Sequence, residues 1–351
     1  MRSLPDTMKG VLLTGHGGTD KLDFRRDIPV PVPKSNEVLI RVSAAGLNNT
    51  DINTRTAWYS KGNSNKKDAS WNGESIKFPR IQGIDVCGEI VAVGNDINKN
   101  RIGKRVLIEP CLKEVNKRIL SSPWFLGSEC DGGFAEFVAV ASRHAYDVES
   151  NLNDEELASF PCSYSTAENM LTKSNVLPGE LVLVRGASGG VGSAAVQLVT
   201  VRGADVVAVT SDLKSKGLIE LGAKKVVNRD QNLVDVLGSN SVDVVIDPVG
   251  GKNWPALLEV LKPGGRYVVS GAIAGSHVNL DLRTLYLKDL SFFGCTVLNT
   301  MIFSNLIDHI QTGRILPVIA HSFPLEDIVK AQEIFLLKKH IGKIVLKINS
   351  D

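Results

Sequence analysis

The chain has 351 residues, which at roughly 100–200 residues per domain is enough for two domains, each with its own core. Its 40 basic and 38 acidic residues give a net charge of +2, so composition favours neither a nucleic acid nor an anionic membrane as a partner. The N-terminus lacks the apolar run of a signal peptide, and no stretch reaches the roughly 18 apolar residues of a membrane span, so we expect a cytoplasmic protein.

The cysteines are odd in number and widely spaced, and no two of them form a CxxC pair. They are Cys87, Cys111, Cys130, Cys162 and Cys295. This pattern argues against a disulfide framework and against a structural zinc site with four cysteine ligands.

The first 150 residues are predicted to form a β-rich domain. Short apolar runs such as EVLIRVSAAG (37–46) and GEIVAVG (88–94) alternate with Gly, Pro and Asn turns. The polar segment SKGNSNKKDASWNGESIK, from Ser60 to Lys77, interrupts this pattern. We predict a surface loop there, with a mobile lid and a disordered insert as equal alternatives.

After Asn151 the sequence alternates strands with helices. The strand ELVLVR (180–185) precedes a glycine-rich turn and a helix, and strands such as ADVVAVT and VDVVIDPVGG follow with helical stretches between most of them. This alternation predicts an α/β fold with a doubly wound parallel sheet over residues 151–300. Residues 301–351 are predicted to add a helix and a strand, and the tail HIGKIVLKI (340–348) is expected to return to the first domain.

The segment VRGASGGVGSAAVQLV carries the strongest functional signal, because it follows a strand and opens a helix. Glycines there permit a tight turn and a close approach to a pyrophosphate, and the helix N-terminus offers N–H groups and partial positive charge. The strict pattern is G-x-G-x-x-G, and its first position here is Ala187. The cofactor-binding candidates of this loop are Gly186, Ser188, Gly189, Gly190, Val191 and Gly192.

The end of the next strand indicates which dinucleotide binds. An NAD site usually places an acid there, which holds the ribose 2′-hydroxyl. Here VVAVTSDLK ends in Thr210 and Ser211, with Lys214 close behind and Arg229 after the third strand. Hydroxyls and cations suit a 2′-phosphate, so the sequence predicts NADPH. Asp212 leaves NAD open, because a small shift of the turn would let it serve as the missing acid.

Several motifs resemble the medium-chain dehydrogenase/reductase superfamily, and the resemblance extends over nearly the whole chain. GASGGVG, MKGVLLTGHGG and GKIVLKI are most similar to its zinc-independent quinone oxidoreductase branch, the zeta-crystallin-like proteins. The resemblance implies a GroES-like catalytic domain, a Rossmann domain and an active site in the cleft between them. It also implies a homodimer in which the Rossmann sheets join edge to edge.

The zinc-binding members of this superfamily differ from the chain at their ligand positions. Where they have a cysteine before a TD pair, GLNNTD has Asn48, and where they have the histidine of a GHE triplet, GID has Ile84. Their third ligand, often a cysteine, falls near Cys162. Because catalytic zinc needs three protein ligands, we expect no metal. An alcohol dehydrogenase with an atypical set, for example Cys162 with Asp85 or Cys87, stays open as an alternative.

The resemblance also implies which side chains act in place of a metal. In NNTDINTRTAWY, Asn48 and Tyr59 fall on the Asn and Tyr of the active-site segment of quinone and enoyl reductases. A tyrosine hydroxyl, with an ordinary pKa of about 10, can donate a proton to a developing enolate. Asn48 can donate to the same oxygen or to the nicotinamide ribose. The equal alternative for Asn48 is that it only braces a turn, and for Tyr59 that it is a gate or a packing residue. The segment SYSTAEN resembles the lining of the nicotinamide pocket, which adds Tyr164 and Thr166 as cofactor-binding candidates.

Together these features predict an NADPH-dependent, zinc-independent reductase of quinones or α,β-unsaturated carbonyls. Such small molecules delocalise the charge that arrives with a hydride, so correct positioning and hydrogen bonds to oxygen are enough. Two rival functions stay open. One is the alcohol dehydrogenase described above, and the other is an NADPH-binding RNA-binding or structural protein with little turnover.

Overall fold

The computed structural model describes residues 4–60, 70–71 and 75–348. Its strands are β1 (Thr7–Leu13), β2 (Leu22–Pro29), β3 (Glu37–Gly46), β4 (Arg80–Ile81), β5 (Asp85–Val93), β6 (Arg105–Ile108), β7 (Cys111–Val115), β8 (Arg118–Phe125), β9 (Phe137–Ala141), β10 (Ala145–Asp147), β11 (Leu181–Arg185), β12 (Asp205–Thr210), β13 (Lys225–Asn228), β14 (Val242–Asp247), β15 (Leu261–Val269), β16 (Ser291–Gly294), β17 (Ile319–Pro324) and β18 (Lys343–Lys347). Its helices are α1 (Asn49–Arg55), α2 (Asp154–Ala158), α3 (Pro161–Lys173), α4 (Gly190–Val201), α5 (Ser215–Glu220), α6 (Leu233–Leu237), α7 (Trp254–Val260), α8 (Leu282–Leu287), α9 (Thr300–Gln311) and α10 (Ile328–Leu336). Within these described residues, no helix has the length and apolar composition needed to cross a membrane. Most of the insert predicted as a lid or a disordered loop lies outside them.

The chain forms two compact units. Unit 1 comprises the described residues within 1–162, 319–339 and 343–351, and unit 2 comprises residues 163–318 and 340–342. Unit 1 extends to Cys162, because α2 packs on β3 and β5 and the start of α3 is hydrogen-bonded to β5. The predicted domain bounds at residues 150 and 300 stay predictions. The predicted third segment is divided between the units, because α9 belongs to unit 2 whereas β17, α10 and β18 belong to unit 1.

Unit 1 is centred on a seven-stranded sheet in the order β10-β6-β5-β3-β18-β17, with β9 also paired to β3. Its central strands are apolar because both faces are covered, and Val38, Ile40 and Val86 are fully buried. A three-stranded sheet, β2-β1-β4, and the hairpin β7-β8 complete the β-structure. The tail strand β18 pairs antiparallel with β3, which brings Lys343 into the buried centre of this unit.

Unit 2 contains six parallel strands in the order β13-β12-β11-β14-β15-β16. This is the order of a doubly wound dinucleotide-binding sheet, so the predicted α/β class is confirmed. The chain reverses direction across the sheet between β11 and β14. In such sheets, ligands bind beyond the carboxyl ends of the strands at this switch point, which is where the glycine-rich loop leaves β11.

Candidate active site

The segment GLNNTD forms the start of α1, directly after β3. Asn48 has an extended backbone at the N-cap, and its N–H donates to Asp51 Oδ2 at 2.8 Å. A polar N-cap residue followed three positions later by an acid is a capping box, which fixes where the helix begins.

A buried lysine of β18 joins this helix start to β5. Lys343 Nζ donates to Leu47 O at 2.8 Å, to Asn48 Oδ1 at 2.6 Å and to Asp85 Oδ2 at 2.8 Å. Asp85 Oδ1 in turn accepts the backbone N–H of Cys162 at 2.6 Å. Lys343 is 2% exposed and Asp85 is 0% exposed, so this ion pair is enclosed by protein. An ammonium has three protons, and each of these has an acceptor here, as a buried charge requires.

The side chain of Asn48 is engaged in this cluster at both ends. Its Oδ1 accepts from Lys343, and its Nδ2 donates to Asp85 Oδ2 at 2.8 Å and to Gly46 O at 3.3 Å. Donation by Asn48 to a substrate oxygen would require it to give up one of these bonds. That role stays a prediction, and the geometry supports the bracing alternative.

The positions that hold zinc in related dehydrogenases do not present a zinc donor set here. Ile84 is apolar and buried, and Asn48 is bonded to Lys343 and Asp85, which leaves Cys162 as the one sulfur donor among these positions. Across the described residues, no group of three or more His, Cys, Asp or Glu side chains could hold a metal ion. These residues therefore do not fit catalytic zinc.

The atypical ligand set suggested by the sequence does not assemble either. Both oxygens of Asp85 accept hydrogen bonds, and one of the donors is an ammonium, which repels a metal cation. Cys87 lies with its Sγ 3.6 Å from Asp154 Oδ1, and burial raises the pKa of its thiol well above the ordinary value. A thiol in this environment resists the deprotonation that zinc binding needs.

Asp51 is a buried carboxyl whose pKa is raised to about 7. Burial is the main cause, and the charge of Asp85 acts in the same direction. The backbone N–H groups of Asn48 and Gly83 and the charge of Lys343 oppose it. Near neutral pH, the interior beside α1 therefore holds a carboxyl that is partly protonated.

The C-terminal end of α1 turns the chain back over the helix. Trp58 N–H donates to Asn53 O at 2.8 Å, Ala57 N–H donates to Thr54 O at 3.3 Å, and Ala57 has φ 57°. These are the features of a Schellman motif, in which glycine usually occupies the left-handed position. Alanine tolerates that conformation at a cost of roughly 1–2 kcal/mol. Tyr59 follows directly and so faces the helix again.

Tyr59 is held through both its hydroxyl and its ring. The hydroxyl lies 3.2 Å from Thr50 Oγ1 and 3.4 Å from Asn53 Nδ2. The ring stacks on Trp71 with centroids 5.3 Å apart, and Trp71 stacks on Phe125 at 4.3 Å. Burial raises the pKa of Tyr59 to about 12, so the hydroxyl carries its proton at neutral pH.

In unit 2 the glycine-rich loop connects β11 to α4. Gly186 has φ 59° and Gly189 is the N-cap of α4, whose first turn contains Gly190, Val191 and Gly192. A Cβ added to Gly192 would lie 2.2 Å from Gly186 O, so the helix can approach the turn only because this residue is glycine. The first N–H groups of a helix lack acceptors within it. Together with the glycine surface they fit a pyrophosphate.

Two cations lie at the carboxyl edge of β12, where Thr210 ends the strand and Ser211 follows it. Lys214 Nζ lies 3.2 Å from Ser188 Oγ, and Arg229 donates its backbone N–H to Thr210 O at 2.8 Å. Burial lowers the pKa of Lys214, and the charge of Arg229 lowers it further. Like charges held near each other in this way favour an anion beside them.

The last two predicted cofactor residues lie on α3. Tyr164 is 1% exposed, and its hydroxyl donates to Leu316 O at 2.8 Å and accepts from Gln197 Nε2 at 2.8 Å. Its polar group is therefore used in the fold of unit 2, and its contact with a cofactor stays a prediction. Thr166, two residues later, is partly exposed.

Sequence reasoning missed Lys343, Asp51, Thr50 and Asn53 as members of the site. A lysine inside the apolar run GKIVLKI is a signal for a buried partner, because lysine is rarely buried unpaired. The acid of a capping box can likewise be read from NNTD. Thr50 and Asn53 give a weaker signal, which is their spacing of three residues on one helix face.

Comparisons with known proteins identify the family. The zinc-binding dehydrogenase model matches residues 190–312, and the alcohol dehydrogenase GroES-like domain model matches residues 34–150. Human quinone oxidoreductase is 30% identical over 339 residues, 93% of each chain. The chain belongs to the medium-chain dehydrogenase/reductase superfamily, in its quinone oxidoreductase branch. The predicted family is confirmed, and this member of the superfamily is an oxidoreductase.

Two other relatives widen the range of described activities within the superfamily. Acryloyl-coenzyme A reductase of Metallosphaera sedula is 29% identical, with 97% of this chain and 99% of the relative covered. A solved structure from Sinorhizobium meliloti 1021, provisionally described as an alcohol dehydrogenase, is 41% identical with a TM-score of 0.91 and 99% coverage of both chains. Each of these three relatives is described by the name of an enzyme.

Replacing Lys343 tests the buried ion pair. Lys343→Met leaves the Asp85 carboxylate enclosed without its cation, so we expect the free energy of unfolding to fall by about 3–5 kcal/mol, measured by urea denaturation. Lys347→Met, on the same strand with a half-exposed side chain, should cost about 1 kcal/mol or less. Adding Asp85→Asn to Lys343→Met should recover part of the loss. Equal losses in the two lysine variants would contradict a structural role for the buried pair.

The raised pKa of Asp51 predicts how stability depends on pH. Folding favours the protonated carboxyl, so its contribution is complete below the ordinary value of 3.8 and is lost as the pH rises through about 7. The thermal midpoint of the wild type should therefore fall more steeply between about pH 4 and 7 than that of Asp51→Asn. The exposed control Asp230→Asn should follow the wild type. A wild-type profile parallel to that of Asp51→Asn would show that Asp51 does not titrate in this range.

Proposed function

We propose that this oxidoreductase reduces quinones or α,β-unsaturated carbonyls with NADPH and without zinc. The observation that carries the proposal is the Tyr59 hydroxyl, a protonated and largely buried donor in a unit whose zinc positions offer no zinc donor set. Human quinone oxidoreductase and the acryloyl-coenzyme A reductase are named for acceptors of this conjugated kind, which supports the proposal.

The chemistry of such acceptors suits a protein that has a proton donor and no Lewis acid. NADPH, when bound, supplies a hydride and is oxidised to NADP⁺. The electrophilic carbon of the substrate gains this hydride with its two electrons, and negative charge spreads to the conjugated oxygen. Tyr59 donates a hydrogen bond to that oxygen or transfers its proton, and a proton from solvent then restores the phenol. We assign Asn48 to holding the start of α1, and through it the helix face that Tyr59 contacts.

The proposed cofactor is NADPH, and the residues of unit 2 support it. The glycine-rich loop would hold the pyrophosphate, and Lys214 and Arg229 would hold the 2′-phosphate together with the hydroxyls of Thr210 and Ser211. Asp212 is exposed in the turn after Ser211, and binding of NAD would require this acid to face the ribose.

Steady-state turnover of chelator-treated protein tests the proposed activity. NADPH and NADH are each offered with ortho-quinones, para-quinones and 2-alkenals. We expect oxidation of NADPH that chelation does not diminish, and a kcat about 100-fold lower in Tyr59→Phe, because the general acid is lost. No turnover with any acceptor, or turnover that depends on added zinc, would contradict the proposal.

A lysine pair tests the choice of cofactor. Lys214→Ala should raise KM for NADPH about 10- to 100-fold and leave KM for NADH unchanged, because it removes a charged contact to the 2′-phosphate. The matched control is Lys216→Ala, which removes a lysine with a 92% exposed side chain two residues later and should change neither value. If Lys214→Ala affects both cofactors equally, Lys214 does not discriminate between them.

We also propose a homodimer formed through β16. This strand ends the six-stranded sheet, so one of its edges is available to pair with a second copy. Phe292 on this strand and Tyr286 and Leu287 on the preceding helix are apolar and exposed. Sedimentation equilibrium should give about twice the chain mass of 37.9 kDa, and a mass of one chain would contradict the dimer.

A second candidate, an alcohol dehydrogenase, is favoured by the similarity to the Sinorhizobium meliloti structure. It would need an electrophile for a simple carbonyl, which zinc supplies in other dehydrogenases. Stoichiometric zinc in the purified protein, found by elemental analysis, would support this candidate against the proposed one.

A further inference from the structure

The hydroxyl of Tyr59 lies against two polar side chains of α1. Thr50 Oγ1 is 3.2 Å away and Asn53 Nδ2 is 3.4 Å away. Thr50 and Asn53 are three residues apart, so they share one face of the helix. Thr50 is 8% exposed, which leaves little room for water to take its place.

The two neighbours can interact with the phenol in a defined way. The Asn53 amide nitrogen can only donate, so the phenol oxygen must accept from it. The Thr50 hydroxyl can either accept or donate. When Thr50 donates as well, the phenol oxygen accepts two hydrogen bonds, and the phenol proton is available to a substrate.

We propose that Thr50 and Asn53 are positioning residues that make Tyr59 an effective proton donor, by donating to its oxygen as the proton leaves. This inference rests on the proposed function. Proton transfer to the substrate leaves a phenolate in a partly buried position, which is unfavourable unless donors surround it. The contacts of 3.2 and 3.4 Å are long for a neutral hydroxyl, and they can shorten when the oxygen becomes charged.

The electrostatic surroundings explain why such assistance is needed. Burial and the nearby acidic groups Cys162 and Asp51 raise the pKa of Tyr59, whereas its hydrogen bonds with Thr50 and Asn53 lower it. The other titratable neighbours thus act against the loss of the proton, and the two residues of α1 act in favour of it.

The ring of Tyr59 is held so that the hydroxyl stays over this helix face. Trp71 stacks on it at an interplanar angle of 24°, and Phe125 stacks on Trp71 at 13°. The backbone N–H of Trp71 also donates to Ser128 Oγ at 3.3 Å. Trp71, a described residue of the polar insert, thereby restricts the movement of the Tyr59 ring.

Kinetics of threonine variants test the inference. Thr50→Val should lower kcat about tenfold with KM changed by less than about twofold, because the lost bond matters mainly in the transition state. Thr50→Ser keeps the hydroxyl and should restore most of kcat. Thr56→Val removes a hydroxyl bonded to the backbone of the same helix and should leave kcat unchanged. The solvent deuterium isotope effect on kcat should rise in Thr50→Val, because proton transfer becomes more rate-limiting.

A double-mutant cycle separates action through Tyr59 from a structural effect. In a Tyr59→Phe background, Thr50→Val should cause no further loss of kcat. If the two losses multiply as independent effects, Thr50 acts on something other than Tyr59 and the inference is overturned.

A measurement without turnover distinguishes failure of this inference from failure of the proposed function. In protein labelled with carbon-13 at tyrosine Cζ, the Tyr59 signal is assigned from its absence in Tyr59→Phe. Thr50→Val should shift this signal, whereas Thr50→Ser and Thr56→Val should not. An unchanged signal in Thr50→Val would overturn the contact itself. If Thr50→Val shifts the signal but the wild type reduces no acceptor, the contact is real and the proposed function is overturned, together with the role of Tyr59 as an acid.

Discussion

A lysine ammonium enclosed by protein must be surrounded by acceptors, and at Lys343 this requirement organises the centre of unit 1. Its acceptors come from the end of β3, the N-cap of α1 and the start of β5, while the lysine itself comes from β18 near the end of the chain. Three parts of the chain that are distant in sequence, at residues 47–48, 85 and 343, are thereby held at one point. Asn48, one of these acceptors, fixes where α1 begins, and so fixes the face of the helix that Thr50 and Asn53 present to Tyr59.

The same cluster explains why the proposed chemistry depends on a phenol. The Lys343 ammonium at the start of α1 has all of its protons taken by protein acceptors, so it is not available to polarise a substrate oxygen. A simple alcohol or ketone requires a strong electrophile, and the zinc positions do not offer a ligand set for one. A conjugated acceptor requires less, because its own π-system carries the charge. Tyr59 is protonated at neutral pH and is held through its hydroxyl and its ring, so it can serve as the donor that such an acceptor needs at oxygen.

Much of the fold could be predicted from the sequence because its signals are local. The alternation of strands and helices after Asn151 and the glycine-rich turn after β11 depend on residues close together in the chain, and both led to the parallel sheet that is observed. The inclusion of α2 in unit 1 could not be predicted in this way, because its packing on β3 and β5 is a long-range contact without a local pattern.

The site was less predictable for the same physical reason. Lys343 and Asn48 are separated by 295 residues, and a pattern confined to neighbouring positions cannot reveal their contact. The use of Tyr164 within the core of unit 2 likewise depends on Gln197 and Leu316, which belong to other segments. The return of Tyr59 over α1 requires alanine in a left-handed conformation, where sequence reasoning would look for glycine.

In the proposed reaction, a hydride is delivered to the conjugated carbon of an acceptor, with a proton donor of the protein assisting at oxygen. The most direct test is to supply NADPH deuterated at the transferable C4 position together with a 2-alkenal, and to locate the deuterium in the product by NMR. We expect deuterium on the β-carbon of a saturated aldehyde. Deuterium on the carbonyl carbon of an unsaturated alcohol would contradict it and would show the chemistry of an alcohol dehydrogenase.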